Sequence, residues 1–168
     1  MSDKDDWARG YARQSQADFT TYENLQTQSD IPACHSLLFL QMACEKLVKA
    51  HLIQQGGDPT AFQTSHAYTA KTLPIVIRQE LTIRGMKPSQ TKGILTQTKH
   101  LAQEIELLAP AVRRAGQRPD NCEYPWEDEG GHLHVPLDWT FTPSQLLFAP
   151  AGRTVLKLIP TAINRLLN

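Results

Sequence analysis

Hydrophobic side chains recur at helical rather than strand spacing along most of the chain. Near the N-terminus, Trp7, Tyr11, Phe19, Tyr22 and Leu25 follow one another mainly at helical steps, which predicts a first helix over residues 5–27. Residues 32–55 are apolar around most of the helix circumference, which is typical of a helix buried in the middle of a bundle. Gly56 and Gly57 then end this second helix.

Two further helices follow at the same spacing. The pattern predicts a third helix from about residue 64 to residue 84, which Pro74 should kink or split. Ser89 is the expected N-cap of a fourth helix that reaches Ala115. Strand patterns are weak throughout, so the sequence predicts an all-α bundle of four to five up-and-down helices.

A long segment separates the fourth helix from the last one. Residues 117–141 are rich in Pro, Gly and acidic residues, and loops of this length usually carry function or are disordered. Residues 133–135 are the one place where a short extended piece is expected. Thr142 to Gln145 resembles a capping box and predicts the start of a last helix, which should break near Pro150.

One polar line runs along the otherwise apolar second helix. Gln41, Glu45 and Lys49 follow at intervals of four and therefore share one face. Glu45 and Lys49 form a favourable helical ion pair, so the line is explained either as a structural salt bridge or as a binding site that also uses Lys46. Burying such a line is expensive unless its members are paired or used.

Composition narrows the function classes. The 168 residues suit a single domain, and 17 basic residues balance 17 acidic ones, so nucleic acid would have to be recognised by a local patch. We find no apolar core of a signal peptide and no apolar run of the roughly 20 residues that a membrane helix needs. Three cysteines without CxxC spacing favour a reduced, cytoplasmic protein and argue against a zinc site.

The second helix also carries a recognisable motif. Its pattern is an aromatic residue, a Gln, then Glu-Lys-x-x-Lys-Ala-x-Leu, filled here by Phe39, Gln41, Glu45, Lys46, Lys49, Ala50 and Leu52. This stretch resembles the signature helix of HEPN domains. His66 stands where that family has a His at the head of the third helix, and residues 121–126, Asn-Cys-Glu-Tyr-Pro-Trp, stand where it often has an Arg-Tyr-Pro-like segment. The resemblance covers roughly residues 5–126.

The resemblance implies a helical bundle that commonly dimerises. Some HEPN proteins are metal-independent ribonucleases, often toxins of toxin–antitoxin pairs, and others are non-catalytic nucleotide-binding partners of small nucleotidyltransferases. The ribonuclease members carry an Arg followed by a His with four to six residues between them, and no Arg of this chain has a His in that window. The leading hypothesis is therefore a non-catalytic HEPN-type protein that binds nucleotide, RNA or a partner.

Two alternatives stay open: a ribonuclease with a changed active site, and a purely structural interaction bundle. The ribonuclease would use His66 or His132 with Glu123 or Tyr124 as its catalytic groups. For binding, the candidate residues are Gln41, Glu45, Lys46, Lys49, His66, Asn121 and Tyr124. We expect no metal and no cofactor.

Several candidate residues have a structural explanation beside the functional one. His66 is a general base or ligand contact, or a helix-start histidine bonded to backbone. His132 and His134 lie near acidic residues and could ligate a metal, but no third ligand follows at a characteristic spacing. Tyr124 and Trp126 either stack on a base or anchor the loop.

We also predict a homodimer, or a heteromer with a nucleotidyltransferase. The reason is that the second helix has more apolar surface than one neighbouring face can cover, and the last helix adds another amphipathic stripe.

Overall fold

The computed structural model describes residues 3–110 and 120–168. Within these ranges the chain forms seven α-helices, a 3-10 helix at Pro136–Asp138 and one two-stranded antiparallel sheet: α1 Lys4–Gln26, α2 Ala33–Gln54, α3 Pro59–Phe62, α4 Thr69–Ile83, α5 Pro88–Leu107, β1 Trp126–Glu127, β2 Leu133–His134, α6 Thr142–Phe148 and α7 Pro150–Leu167. Five of the helices are long. The predicted all-α bundle, with a long segment before the last helix, is confirmed.

Helix α2 lies at the centre of the bundle. It packs along α1 and also contacts α4, α5, α6 and α7, so side chains on almost every face are buried, including Leu40 and Leu47. Small side chains let α1 approach closely, and the Ser15 hydroxyl donates a 2.7 Å hydrogen bond to the Ala43 carbonyl oxygen across the contact. The apolar circumference of α2 thus reflects coverage within this one chain.

The first part of α1 does not bury its large residues, although Phe19 and Tyr22 further along the helix are buried. Ala8 and Ala12 are buried against the bundle, whereas Trp7 is 36% exposed and Tyr11 is half-buried. Small residues face α2 because the two helices are close together. The two aromatic rings are left at the margin of the contact.

The third helix begins later than predicted. The turn α3 forms first, because Pro59 suits the first helical position and the Asp58 carboxylate accepts a 3.0 Å hydrogen bond from the Thr60 N–H. Helix α4 then starts at Thr69, where the Glu106 carboxylate of α5 accepts from the Ala70 N–H at 2.8 Å. This cap comes from a distant residue, so local sequence did not reveal it.

Pro74 and Pro88 affect their helices differently from what the sequence predicts. Pro74 lies inside a continuous α4 and does not split it. Lys87 rather than Ser89 is the N-cap of α5, because Pro88 takes the first helical position. The α5 helix ends at Leu107; residues 111–115 of the predicted extension lie outside the described residues.

The end of the chain follows the predicted order of elements. The expected extended piece is β2, which pairs with β1 through Trp126 and His134. The capping box at Thr142 is wrong by one residue: Phe141 is the N-cap, it is 1% exposed, and no side chain caps the helix. The predicted break is confirmed at Ala149, whose extended backbone is what a residue before proline prefers.

The stated reason for a dimer is wrong. The apolar side chains of α2 after Ala33 are buried or half-buried within the chain, and so are those of α7 after Pro150. Large exposed hydrophobic residues lie elsewhere, among them Ile75 and Ile83 on α4 and Phe148 at the end of α6.

Among the described residues, no single helix is long and apolar enough to cross a membrane. Residues 136–148 and α7 together have the length and composition of a membrane span, but they form a bent pair that meets at 85°.

Candidate functional site

The polar line of α2 forms the floor of a cavity. The carboxylate of Glu45 accepts hydrogen bonds from Lys49 Nζ at 2.7 Å and from Gln41 Nε2 at 2.9 Å. Gln41, Glu45 and Lys49 are 3%, 7% and 3% exposed. The predicted ion pair is therefore present, and it belongs to a buried network rather than to a solvated helix face.

His66 completes the network from the segment between α3 and α4. Its Nδ1 lies 2.9 Å from Glu45 Oε2, and 42% of its side chain is exposed. An ionised carboxylate only accepts hydrogen bonds, so Nδ1 carries the hydrogen and Nε2 of the neutral ring is an acceptor. His66 is thus bonded to a side chain, not to backbone, and precedes α4 rather than heading it.

The charge on Glu45 is stabilised despite its burial. Burial by itself would raise the pKa of the carboxyl, but the hydrogen bonds from Lys49, His66 and Gln41 outweigh that effect and hold the pKa below its ordinary value of 4.5. The same charge acts on Tyr11. The pKa of its phenol is raised, mainly by burial and also by the negative charge of Glu45. Lys49 Nζ lies 5.8 Å from the Tyr11 ring centroid, a weak cation–π contact.

Lys46 faces the cavity but is paired with another helix. Its Nζ lies 2.6 Å from the Asp18 carboxylate of α1, which also accepts from Gln14 Nε2 at 3.1 Å. The Lys46 side chain is 23% exposed and that of Asp18 is 7% exposed. Lys46 therefore joins α1 to α2 at the edge of the cavity and takes no part in the Glu45 network.

A turn after α5 brings the opposite wall to the cavity. The buried Asn121 accepts from the backbone N–H groups of Glu123 and Tyr124 at 2.9 and 2.7 Å and donates to the Tyr124 carbonyl oxygen at 3.1 Å. Cys122 N–H donates to the Leu108 carbonyl oxygen at 3.3 Å. These bonds hold Tyr124 at the rim, where it is 58% exposed. Asn121 is a positioning residue for this turn rather than a lining residue.

The cavity has a volume of about 570 Å³. It brings together most of the residues singled out from the sequence: Gln41, Glu45, Lys46, Lys49, His66, Glu123 and Tyr124. Tyr11 and Gln63 also line it. Sequence reasoning missed them as site residues because Tyr11 resembled a core residue of α1 and Gln63 lies in an unremarkable loop. Two lysines and two glutamates line the cavity, so its described charges balance.

The other candidates lie elsewhere. Trp126 is 8% exposed and packs on Trp139 and Phe141, so it anchors the loop. His132 and His134 both contact the Asp128 carboxylate on the hairpin and do not line the cavity. Among the described residues, no group of three or more His, Cys, Asp or Glu side chains is placed to hold a metal ion.

All three cysteines are buried free thiols. Burial raises the pKa of Cys44 to about 12, and it raises the pKa of Cys34 and of Cys122 as well. A buried thiol that stays protonated is a poor nucleophile and a poor metal ligand. These residues are therefore part of the core and not part of the site.

Comparison of the chain with protein-family models, with curated proteins and with solved structures finds no match in any of the three.

Proposed function

We propose that this chain is a non-catalytic, HEPN-type bundle that binds a nucleotide in the cavity above Glu45. The observation that carries the proposal is convergence. The residues of the HEPN-like motif on α2, the histidine after it and the Tyr124 turn are separated along the chain, yet they line one cavity. A purely structural bundle has no need to bring an exposed tyrosine and a half-exposed histidine over a buried ion pair.

The shape and chemistry of the cavity suit a base with a polar edge. Its volume of about 570 Å³ is within the range of ligand sites, roughly 300–1,000 Å³. Tyr124 offers an exposed ring for stacking, and His66 Nε2 offers a hydrogen-bond acceptor. The floor is already satisfied internally, so the network holds its shape before a ligand arrives, which lowers the cost of binding.

Charge makes a different contribution here than in most nucleic-acid sites. Lys46 and Lys49 are balanced by Asp18 and Glu45 at 2.6 and 2.7 Å. Binding should therefore depend on stacking and hydrogen bonding. We expect its dissociation constant to change much less with salt than for a protein that binds through unpaired lysines and arginines.

Titration with AMP, GMP, CMP and UMP, monitored by calorimetry and by backbone NMR chemical shifts, tests the proposal. We expect at least one of them to bind and to shift the amides of Tyr124 and His66. Tyr124→Ala should weaken binding at least about fivefold, because a stacked base is lost. Phe148→Ala is the matched control: Phe148 is an exposed aromatic residue, 76% accessible, outside the cavity. Absence of binding by all four nucleotides, or equal losses in the two variants, contradicts the proposal.

A second candidate function rests on the Glu45–His66 contact. A carboxylate that holds the Nδ1 hydrogen of an imidazole leaves Nε2 ready to accept a proton, which is the arrangement of a general base. Tyr124 and Glu123 line the same cavity. For a ribonuclease with a changed active site, this geometry favours His66 over His132 as the catalytic base.

The cleavage assay separates the two functions. We expect no efficient cleavage of single-stranded RNA in EDTA, because in-line attack also needs a group that stabilises the phosphorane charge, and the usual Arg–His spacing is missing. Metal-independent cleavage that His66→Ala and Glu45→Gln both abolish would instead support the ribonuclease.

We also propose that the protein assembles as a homodimer or with a nucleotidyltransferase. The support is now the exposed face of α4, where Ile75 and Ile83 are 54% and 53% accessible. Light scattering should give a mass above that of one chain, either alone or with the partner, and Ile75→Glu with Ile83→Glu should reduce it. A monomer that binds no nucleotidyltransferase contradicts this assembly.

A further inference from the structure

A second depression adjoins the cavity on the outer side of α1. It has a volume of about 450 Å³ and is lined by Asp6, Trp7, Gly10, Tyr11, Gln14 and Lys46. We call it the α1 groove. Tyr11 and Lys46 line both the groove and the cavity. The two depressions are therefore neighbours that share these two residues as part of their walls.

Aromatic rings stand at the groove as well as at the cavity. The rings of Trp7 and Tyr11 lie 6.2 Å apart between centroids, tilted by 33°. Trp7 is 36% exposed although it is one of the largest apolar residues of α1. In this part of α1 the bundle buries Ala8 and Ala12 instead, so the core does not account for a tryptophan at this place.

Gly10 keeps the groove open. It lies inside α1, where glycine lowers helix stability relative to alanine. A Cβ at this position would meet nothing within 4 Å, so close packing does not require glycine. Gly93 on α5 is also exposed with free space around it, which shows that such a glycine need not mark a site. Gly10 differs because it lines the groove between Trp7 and Gln14.

We propose that the ligand is a dinucleotide segment, with one base in the cavity beside Tyr124 and the next on Trp7 in the α1 groove. This inference rests on the proposed nucleotide binding. The phosphate between the two bases would pass Lys46, which lines both depressions. A lysine ammonium has three N–H donors, so its bond to Asp18 leaves capacity for a phosphate oxygen.

The experiment compares AMP with 5′-phosphorylated ApA, or the matching pair if another base binds better. For the unaltered chain we expect the dinucleotide to bind about tenfold more tightly or better, because a second base stacks. Trp7→Ala and Gly10→Leu should each bring dinucleotide affinity down to that of the mononucleotide. Neither change should alter mononucleotide affinity by more than about twofold, because both lie outside the cavity.

Gly93→Leu is the matched control for Gly10→Leu. Both replace an exposed helical glycine by a good helix former with room for the side chain, so both variants should fold and neither should lose stability. The Gly93→Leu variant should still bind the dinucleotide about tenfold more tightly than the mononucleotide, as the unaltered chain does. A mononucleotide that binds in a Tyr124-dependent way while the dinucleotide binds no more tightly overturns the second subsite alone. Failure of both ligands to bind overturns the subsite together with the proposed function, and an equal effect of the two leucine variants also overturns the subsite.

Discussion

Two regions of this molecule use a carboxylate and imidazole in the same way but in different surroundings. In the bundle, Glu45 contacts His66, and its side chain is 10% exposed. On the hairpin, Asp128 contacts His132 and His134 at 3.2 and 2.9 Å, and its side chain is 39% exposed. The contacts alone do not show which network contributes more to stability. Burial does, because a charge withdrawn from water needs its partners to remain stable, whereas water stabilises an exposed charge.

The two networks also differ in what they hold together. Glu45 joins residues of one helix to a segment more than twenty positions away. Asp128 closes a local turn, with help from the backbone N–H groups of Gly130 and His132. Loss of the first network should therefore affect the whole bundle, and loss of the second only the hairpin. The losses of stability caused by changes in the two networks should fall in that order.

The largest effect is expected from removal of one buried charge. Lys49→Met leaves Glu45 without its cation and should lower the free energy of unfolding by about 3–5 kcal/mol, the usual range for a buried charge whose partner is lost. Urea unfolding measures this. A loss below about 1 kcal/mol would show that the pair behaves like an exposed salt bridge, and that burial does not distinguish the Glu45 network from the Asp128 network.

Removal of both charges separates structure from binding. Glu45→Gln with Lys49→Met conserves volume and should be far more stable than Lys49→Met alone, because neither charge remains buried. Under the binding proposal this double variant folds yet loses nucleotide affinity. If it folds and binds as before, the polar line is a structural salt bridge and nothing more.

Acid should weaken the Glu45 network. Its pKa is below the ordinary 4.5 in the folded state, so its contribution to stability is full above that value and is lost as pH falls through the folded pKa. The free energy of unfolding of the unaltered protein should therefore decline between pH 6 and pH 3. That of the Glu45→Gln variant should decline less over the same interval. Parallel curves for the two proteins would contradict the low pKa.

The smallest effect is expected on the hairpin. The pKa of Asp128 is also held well below its ordinary value, chiefly by the hydrogen bond with His134 and then by the backbone N–H of His132. Because this carboxylate is exposed, solvent screens it, and Asp128→Asn should cost far less than Lys49→Met. NMR shifts of Asp128→Asn should change around residues 126–139 and leave the α2 amides unaltered. Global destabilisation equal to that of Lys49→Met would reverse the ranking.

Much of the site was predictable because it lies on one helix. Residues four apart in a helix share a face, so the sequence alone places Gln41, Glu45 and Lys49 together. The Glu45–Lys49 pair follows from the same spacing. The chemistry of their side chains and the family resemblance indicate His66 and Tyr124 as candidates, but helical spacing cannot place them beside Glu45.

The local sequence determined most of the helical segments, the glycine-marked end of α2 and the central place of α2, because those properties depend on side-chain spacing and backbone preference. Only the tertiary structure decided which faces are buried. It covers α2 within one chain, leaves Trp7 outside while alanines pack inside, and caps α4 with Glu106. These outcomes depend on how closely helices approach and on partners distant in sequence, so they cannot be read from the pattern of one segment.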